Sequence, residues 1–142
     1  MSVSPTSRSD DAVAPVPRAL VVENDLTSRE LLARVLRLKG LDAHTAIGAA
    51  QAAALLLDAP VPYDLLVVDL DLEPIDGVEL LRHVVTLPPA RRPRRIVALS
   101  QSLAPFYPRL NELRLPIETF QKPVHLPTLM KVVETLTAAN PE

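Results

Sequence analysis

Four short polar signatures in this chain each follow an apolar or half-apolar run. Glu23-Asn24-Asp25 follows Ala19–Val22, Asp69 and Asp71 follow Leu65–Val68, Ser100-Gln101 follows Ile96–Leu99, and Lys122-Pro123 closes the half-polar stretch Ile117–Gln121. If the runs are parallel strands, their carboxyl ends share one edge, where open parallel sheets bind ligands. That edge gathers several carboxylates, one hydroxyl and one lysine. Clustered carboxylates repel one another unless a hard divalent cation such as Mg²⁺ sits among them. A lysine and a hydroxyl facing the same point hold an anion's remaining oxygens. Carboxylate nucleophile, cation, lysine and hydroxyl are together the parts of phosphoryl transfer onto an aspartate. Asp69, at the end of its apolar run, is the nucleophile on which this chemistry centres.

These residues meet only if strands and helices alternate, and the pattern does so. A helix is predicted over Leu26–Lys39, where Leu31, Leu32, Val35, Leu36 and Leu38 form an apolar stripe. Thr27–Glu30 has the capping-box pattern with Asp25 as a competing N-cap, and Gly40 closes the helix. Leu41–Ala46 reads as an edge strand, and alanine-rich Ala49–Leu57 as a helix. Gly77–Thr86 follows as a helix with Val78, Leu81 and Val85 on one side. A fourth helix lies within Leu103–Leu113, confined to its second half by Pro105 and Pro108. Leu126-Pro127 opens the last helix with proline at its first position, and Leu129, Val132, Val133 and Leu136 are its core stripe. Five strands alternating with five helices imply a parallel sheet covered on both faces. The three runs that are apolar throughout belong at its centre. The expected fold is α/β, a flavodoxin-like doubly wound five-stranded sheet of order 2-1-3-4-5. The domain spans residues 18–138. Residues 1–17, rich in Ser, Pro, Asp and Ala, read as a disordered tail, and 139–142 as a C-terminal tail.

A length of 142 residues suits one domain, and 48% hydrophobic residues suffice for a packed core. The net charge of −2 exerts no general pull toward nucleic acid or anionic membranes. The absence of cysteine excludes disulfides, thiolate chemistry and sulfur-bound zinc. His44, His83 and His125 are too scattered for a local metal motif and read as structural or surface residues. No apolar run approaches the ~20 residues of a membrane span, and the N-terminus lacks a signal-like apolar region. A cytoplasmic protein without a membrane partner is expected. Arg91, Arg92, Arg94 and Arg95 surround Pro93, but no interleaved aromatics or reading helix accompany them. They read as a solvated loop rim, and nucleic acid is not an expected partner.

The segment from Arg18 to about Leu136 resembles a response-regulator receiver domain of two-component signalling. YDLLVVDLDLEPIDGVELL resembles the family's phosphoacceptor segment, with Asp69 at the position of the phosphorylated aspartate and Asp76-Gly77 at the closing Asp-Gly. Ser100 matches the Ser/Thr that senses the phosphoryl group, and Lys122-Pro123 matches a Lys-Pro pair whose peptide bond is usually cis. The resemblance implies that Asp69 accepts a phosphoryl group from a sensor histidine kinase or phosphotransfer protein. It implies Mg²⁺ held by Glu23, Asn24, Asp69 and the backbone carbonyl of Asp71, with Lys122 and Ser100 on the phosphoryl oxygens. It implies a signalling domain, not a turnover enzyme, with at most self-catalysed phosphorylation and dephosphorylation. Its output face is the fourth helix, fifth strand and fifth helix, a face that also allows a homodimer. The expected setting is a stand-alone regulator, a relay intermediate or a fragment of a longer protein, with its output partner unidentified.

Departures from the family pattern define a second reading. Asn24 stands where a second acid usually binds the metal, and a neutral ligand weakens that site. The Asp71 carboxylate either restores some charge, shifts the hydrolytic water or simply faces solvent. Gln101 stands where Ala or Gly is usual, narrowing access to the phosphoryl pocket, and Leu72-Glu73-Pro74 moves the family's proline by one. Thr119 replaces the switch aromatic, and Phe120 belongs to the other face of the strand. Asn24, Gln101, Thr119 and the proline-broken fourth helix favour a pseudo-receiver, a phosphorylation-independent interaction module. Ordinary roles also exist: Ser100 capping the next segment, Asn24 and Asp25 capping a helix. A third class is hydrolytic, since Asp69-Leu70-Asp71 resembles the DxD of haloacid-dehalogenase-like phosphatases. Those carry the motif on their first strand and need further acidic strand ends.

Overall fold

The computed structural model describes residues 15–137, so the expected tails lie outside the described residues except for 15–17. The elements are β1 (Arg18–Val22), α1 (Leu26–Leu38), β2 (Asp42–Ala46), α2 (Ala49–Asp58), β3 (Leu65–Asp69), α3 (Gly77–Thr86), β4 (Arg95–Ser100), α4 (Tyr107–Glu112), β5 (Ile117–Gln121) and α5 (Leu126–Thr137). Short 3₁₀ turns occupy Pro89–Arg91 and Ala104–Phe106. All strand pairs are parallel, in the order β2-β1-β3-β4-β5.

The three wholly apolar runs are the central strands, and every residue of β3 is buried. Alternate residues serve two cores. Leu20, Val22, Leu66, Val68, Ile96 and Ala98 pack beneath α2, α3 and α4. Ala19, Val21, Leu65, Val67, Val97 and Leu99 pack beneath α1 and α5. Each such Leu or Val contributes about 1.5–3 kcal/mol by leaving water, so the central strands cannot slip by one residue without large loss. The resulting register pairs Val22 with Val68 and Asp69 with Leu99. Glu23, Asp69 and Ser100 therefore emerge within one residue step of the same edge.

Local chemistry explains the boundaries. Asp25, not the Thr27–Glu30 capping box, starts α1: its carboxylate accepts the Ser28 N–H at 2.8 Å. Gly40 follows with φ +98, a left-handed conformation that glycine adopts without penalty. Pro105 and Pro108 leave α4 only six residues long. Pro127 lies at the second position of α5 rather than the first.

The arginine cluster stays at the surface, with Arg91 and Arg94 exposed, but its side chains are engaged. Arg91 donates to the Ala59 carbonyl at 2.8 Å beyond α2, and Arg92 to Val85 and Leu87 carbonyls at 2.8 and 3.0 Å at the end of α3. Cationic donors there satisfy terminal carbonyls and meet the negative end of the helix dipole. Arg94 pairs with Asp64 at 3.1 Å, and Arg95 pairs with Glu118. Among the described residues, no helix is long and apolar enough to cross a membrane.

Candidate functional site

The site assembles where β1, β3, β4 and β5 end. Glu23, just past β1, is 2% exposed, and its backbone N–H donates to Ala46 across the β1–β2 gap at 3.1 Å. Its Oε2 accepts the Asp25 N–H at 3.1 Å, so the turn that caps α1 also orients this carboxylate. Asp69 ends β3, also 2% exposed, and its Oδ1 accepts the Asp71 N–H at 2.9 Å. Lys122 is anchored at its backbone, whose N–H donates to the Ser100 carbonyl at 2.8 Å, and a cis peptide bond leads from it into Pro123. Its Nζ lies 3.0 Å from Asp69 Oδ1 and 3.4 Å from Glu23 Oε1. Two buried carboxylates thus converge on one lysine.

Burial raises Glu23 above the usual carboxylate value, and the adjacent Asp69 raises it further, against the Asp25 amide and Lys122. Burial pulls Lys122 down, but its bond to Asp69 and the nearby negative charge outweigh this and leave it raised and cationic. Glu23 Oε1 is buried without a hydrogen-bond partner. A carboxylate oxygen that meets only the lysine's charge, without a hydrogen bond, beside a second buried carboxylate is the kind of donor set a hard cation takes up, with waters completing its shell. The donor set is sparse: Asn24 is neutral and exposed, and the described residues contain no group of three or more His, Cys, Asp or Glu arranged around one point.

Gly77 is needed by close approach. A Cβ there would lie 2.6 Å from the Asp69 carbonyl oxygen and 2.8 Å from Leu70 Cα. The start of α3 therefore presses directly on the backbone of Asp69. Asp76 caps that helix, accepting the Glu79 N–H at 3.1 Å. Arg109 of α4 grips the same carboxylate with two bonds of 2.8 and 3.1 Å and reaches Glu79 at 3.0 Å. Burial raises Asp76, but the Arg109 and Glu79 donors outweigh it and hold this carboxyl below its usual value.

Ser100 is fully buried, and its Oγ lies 2.9 Å from Asp71 Oδ1. It also accepts the Ser102 N–H at 2.9 Å, so its capping role coexists with its place at the edge. The Asp71 side chain is exposed yet engaged: its Oδ2 accepts the Gln101 N–H at 3.0 Å. The Gln101 side chain is exposed, and its carbonyl accepts from Gln121.

The structure brings together Glu23, Asp69 and Lys122, and joins Ser100 to Asp71; Asn24 alone stays outside these contacts. Phe120 packs against the α1/α5 core, away from Thr119, as the strand alternation predicts. Two residues escaped the sequence reading. Arg109 is 33 positions from Asp76, so no local pattern links them. Tyr107 opens α4 with its hydroxyl 3.4 Å from Thr119 Oγ1, placing an aromatic against the strand position that lacks one. Of the histidines, His44 bonds Tyr63 at 3.0 Å and His125 bonds Thr128 at 2.7 Å, both structural contacts.

The arrangement is a buried carboxylate at a strand end, a lysine on it, a second carboxylate beside it and a hydroxyl within the same edge. A family model for the response regulator receiver domain matches residues 19–134. A response regulator receiver protein from Pseudomonas putida is 29% identical with a TM-score of 0.74, covering 87% of this chain and 99% of that one. A sensor protein from Polaromonas sp. JS666 is 30% identical, TM-score 0.70, covering 85% of this chain and 95% of that one. A CheY-like receiver domain from Methylobacillus flagellatus shares the fold at 22% identity, TM-score 0.70, covering 86% and 99%. No protein with a curated description matches the chain in sequence. The chain belongs to the response regulator receiver domain family.

Proposed function

We propose that this chain is a phosphoacceptor receiver. The Asp69 carboxylate attacks the phosphorus of a phosphohistidine on a sensor histidine kinase or phosphotransfer protein. An O–P bond forms as the N–P bond breaks, and the imidazole leaves with the electron pair and takes up a proton. Lys122 neutralises Asp69 before attack and holds a phosphoryl oxygen afterwards, and Ser100 donates to another. Glu23, Asn24, Asp69 and the Asp71 carbonyl would hold Mg²⁺, which would supply charge to offset the gathering negative oxygens. The domain covers residues 18–138 and signals in the cytoplasm as an acceptor rather than a turnover enzyme, through the α4–β5–α5 face. The observation that carries this reading is the 3.0 Å contact between Lys122 Nζ and the buried Asp69. A ¹⁹F NMR titration with beryllofluoride tests it: a bound signal that needs both Mg²⁺ and Asp69 is expected, and no bound signal at saturating Mg²⁺ overturns it.

The second reading is a pseudo-receiver, and the exposed neutral Asn24 is what favours it. It predicts partner binding that is indifferent to Mg²⁺, beryllofluoride and Asp69→Asn alike.

A further inference from the structure

An oxyanion carried on Asp69 needs donors, and four stand at this edge of the sheet, two of them on Asp69 and two at the end of the neighbouring β4. Lys122 Nζ and the Asp71 N–H are already turned onto Asp69 itself, at 3.0 and 2.9 Å. The other two, the Ser100 hydroxyl and the Gln101 N–H, are turned onto something else. They reach the two oxygens of a single carboxylate, Asp71, at 2.9 and 3.0 Å. One oxygen takes a hydroxyl and its twin takes the next backbone amide, the grip that these two donors would offer to two oxygens of a phosphoryl group.

The local geometry strengthens this contact. Ser100 is 0% exposed, so its hydroxyl has no bulk water to turn to. Its lone pair is used by the Ser102 N–H at 2.9 Å, and its one proton has two acceptors in reach, Asp71 Oδ1 at 2.9 Å and the Ser102 carbonyl at 3.0 Å. A charged acceptor forms the stronger bond of the two. The Gln101 N–H, on the next residue, adds a second bond to the same charge. The segment after β4 is therefore tied to the segment after β3 with Asp69 unmodified.

We propose that Asp71 is a built-in anion: its carboxylate occupies the two donors at the end of β4 and holds residues 100–102 in their anion-engaged position. A phosphoryl group on Asp69 then displaces a carboxylate instead of recruiting idle donors. Asp71 is a positioning residue in this scheme. It sets the loop's resting state and raises the threshold for an incoming oxyanion. Only the displacement step rests on the phosphoacceptor reading; the resting-state contact stands without it.

Amide hydrogen exchange, followed by NMR at Gln101, tests both parts in the full chain. A bond to a charged acceptor is worth enough to slow exchange by about tenfold or more. In metal-free protein the Gln101 amide is expected to exchange about tenfold or more faster in Asp71→Ala than in wild type. Asp71→Asn, which keeps one acceptor oxygen without charge, falls between. Asp71 is exposed and belongs to neither core cluster, so unchanged circular dichroism should accompany the substitution. Beryllofluoride with Mg²⁺ should restore slow exchange in Asp71→Ala and leave wild type nearly unchanged. Equal exchange in wild type and Asp71→Ala without ligand overturns the proposal, as does an equal gain of protection in both on adding beryllofluoride. If no ¹⁹F signal of bound beryllofluoride appears in either protein, the phosphoacceptor reading fails, and the ligand-free comparison alone decides the role of Asp71.

Discussion

Replacing Lys122 with methionine removes the one cation that, among the described residues, lies on both buried carboxylates. The lysine lies 3.0 Å from Asp69 and 3.4 Å from Glu23, whose side chains are 3% and 2% exposed. At an effective dielectric constant near 20 each contact amounts to about 5 kcal/mol of gross attraction, most of it offset by the desolvation of all three groups. Breaking a fully buried ion pair from one side costs about 3–5 kcal/mol. Lys122 keeps 20% of its side-chain exposure, so a loss of about 2–3 kcal/mol is expected near neutral pH. The pH dependence carries more information than the size. Glu23 already titrates above its usual 4.5, and removing Lys122 deletes one of the groups that pull it down. A carboxyl raised in the folded state binds more protons than in the unfolded chain between 4.5 and its folded value. Stability in that window therefore rises as pH falls, by at most about 1.4 kcal/mol per pH unit for one proton. The deficit of Lys122→Met against wild type should be largest near pH 7 and shrink toward pH 4.5. Adding Glu23→Gln should recover most of it, because a single buried carboxylate then remains. Urea denaturation followed by far-ultraviolet circular dichroism, from pH 4.5 to 8, measures all three proteins. A deficit below about 0.5 kcal/mol at pH 7, the scale of an exposed ion pair, or a deficit that grows as pH falls, refutes the reasoning.

Three further substitutions probe separate parts of the account. Gly77→Ala drives a Cβ to 2.6 Å from the Asp69 carbonyl oxygen; overpacking should cost about 1–3 kcal/mol in urea denaturation, and a neutral result would mean that α3 does not buttress the site. Arg109→Ala removes two bonds to Asp76 and one to Glu79; with both partners partly exposed the loss should be about 1 kcal/mol, reduced by salt. Asp76 is held below its usual 3.8, so its contribution is present above 3.8 and lost as pH falls through the folded value. Arg109→Ala should therefore flatten the acid limb of the stability curve, and Arg109→Lys should not restore it because the paired geometry is lost. Asn24→Asp makes a third carboxylate among the proposed metal ligands; Mg²⁺ affinity by calorimetry should tighten about tenfold, and unchanged affinity would remove Asn24 from the metal site.

The fold was legible because its signals are local and repeated. Leu65–Val68 and Ile96–Leu99 are apolar on both faces, which only central parallel strands tolerate, and each is followed by its polar residue at the shared edge. Asp69, Lys122 and Ser100 could be found because strand ends converge by topology. Contacts that depend on side-chain direction across long separations were not legible. The Thr27–Glu30 pattern competed with Asp25, and hydrogen-bond geometry decided between them. Arg91 and Arg92 looked like loop charge because the carbonyls they satisfy belong to helices that end elsewhere in the sequence. The engagement of the exposed Asp71 was hidden because its two partners sit 29 and 30 residues away on the next strand's end.

Intact-mass spectrometry decides whether Asp69 is a nucleophile held ready by Lys122. Wild type and Asp69→Asn would each be incubated with acetyl phosphate, with and without Mg²⁺. One added phosphoryl group is expected on wild type, dependent on Mg²⁺, and none on Asp69→Asn. Wild type left unmodified at saturating Mg²⁺, or equal modification of both proteins, would contradict it.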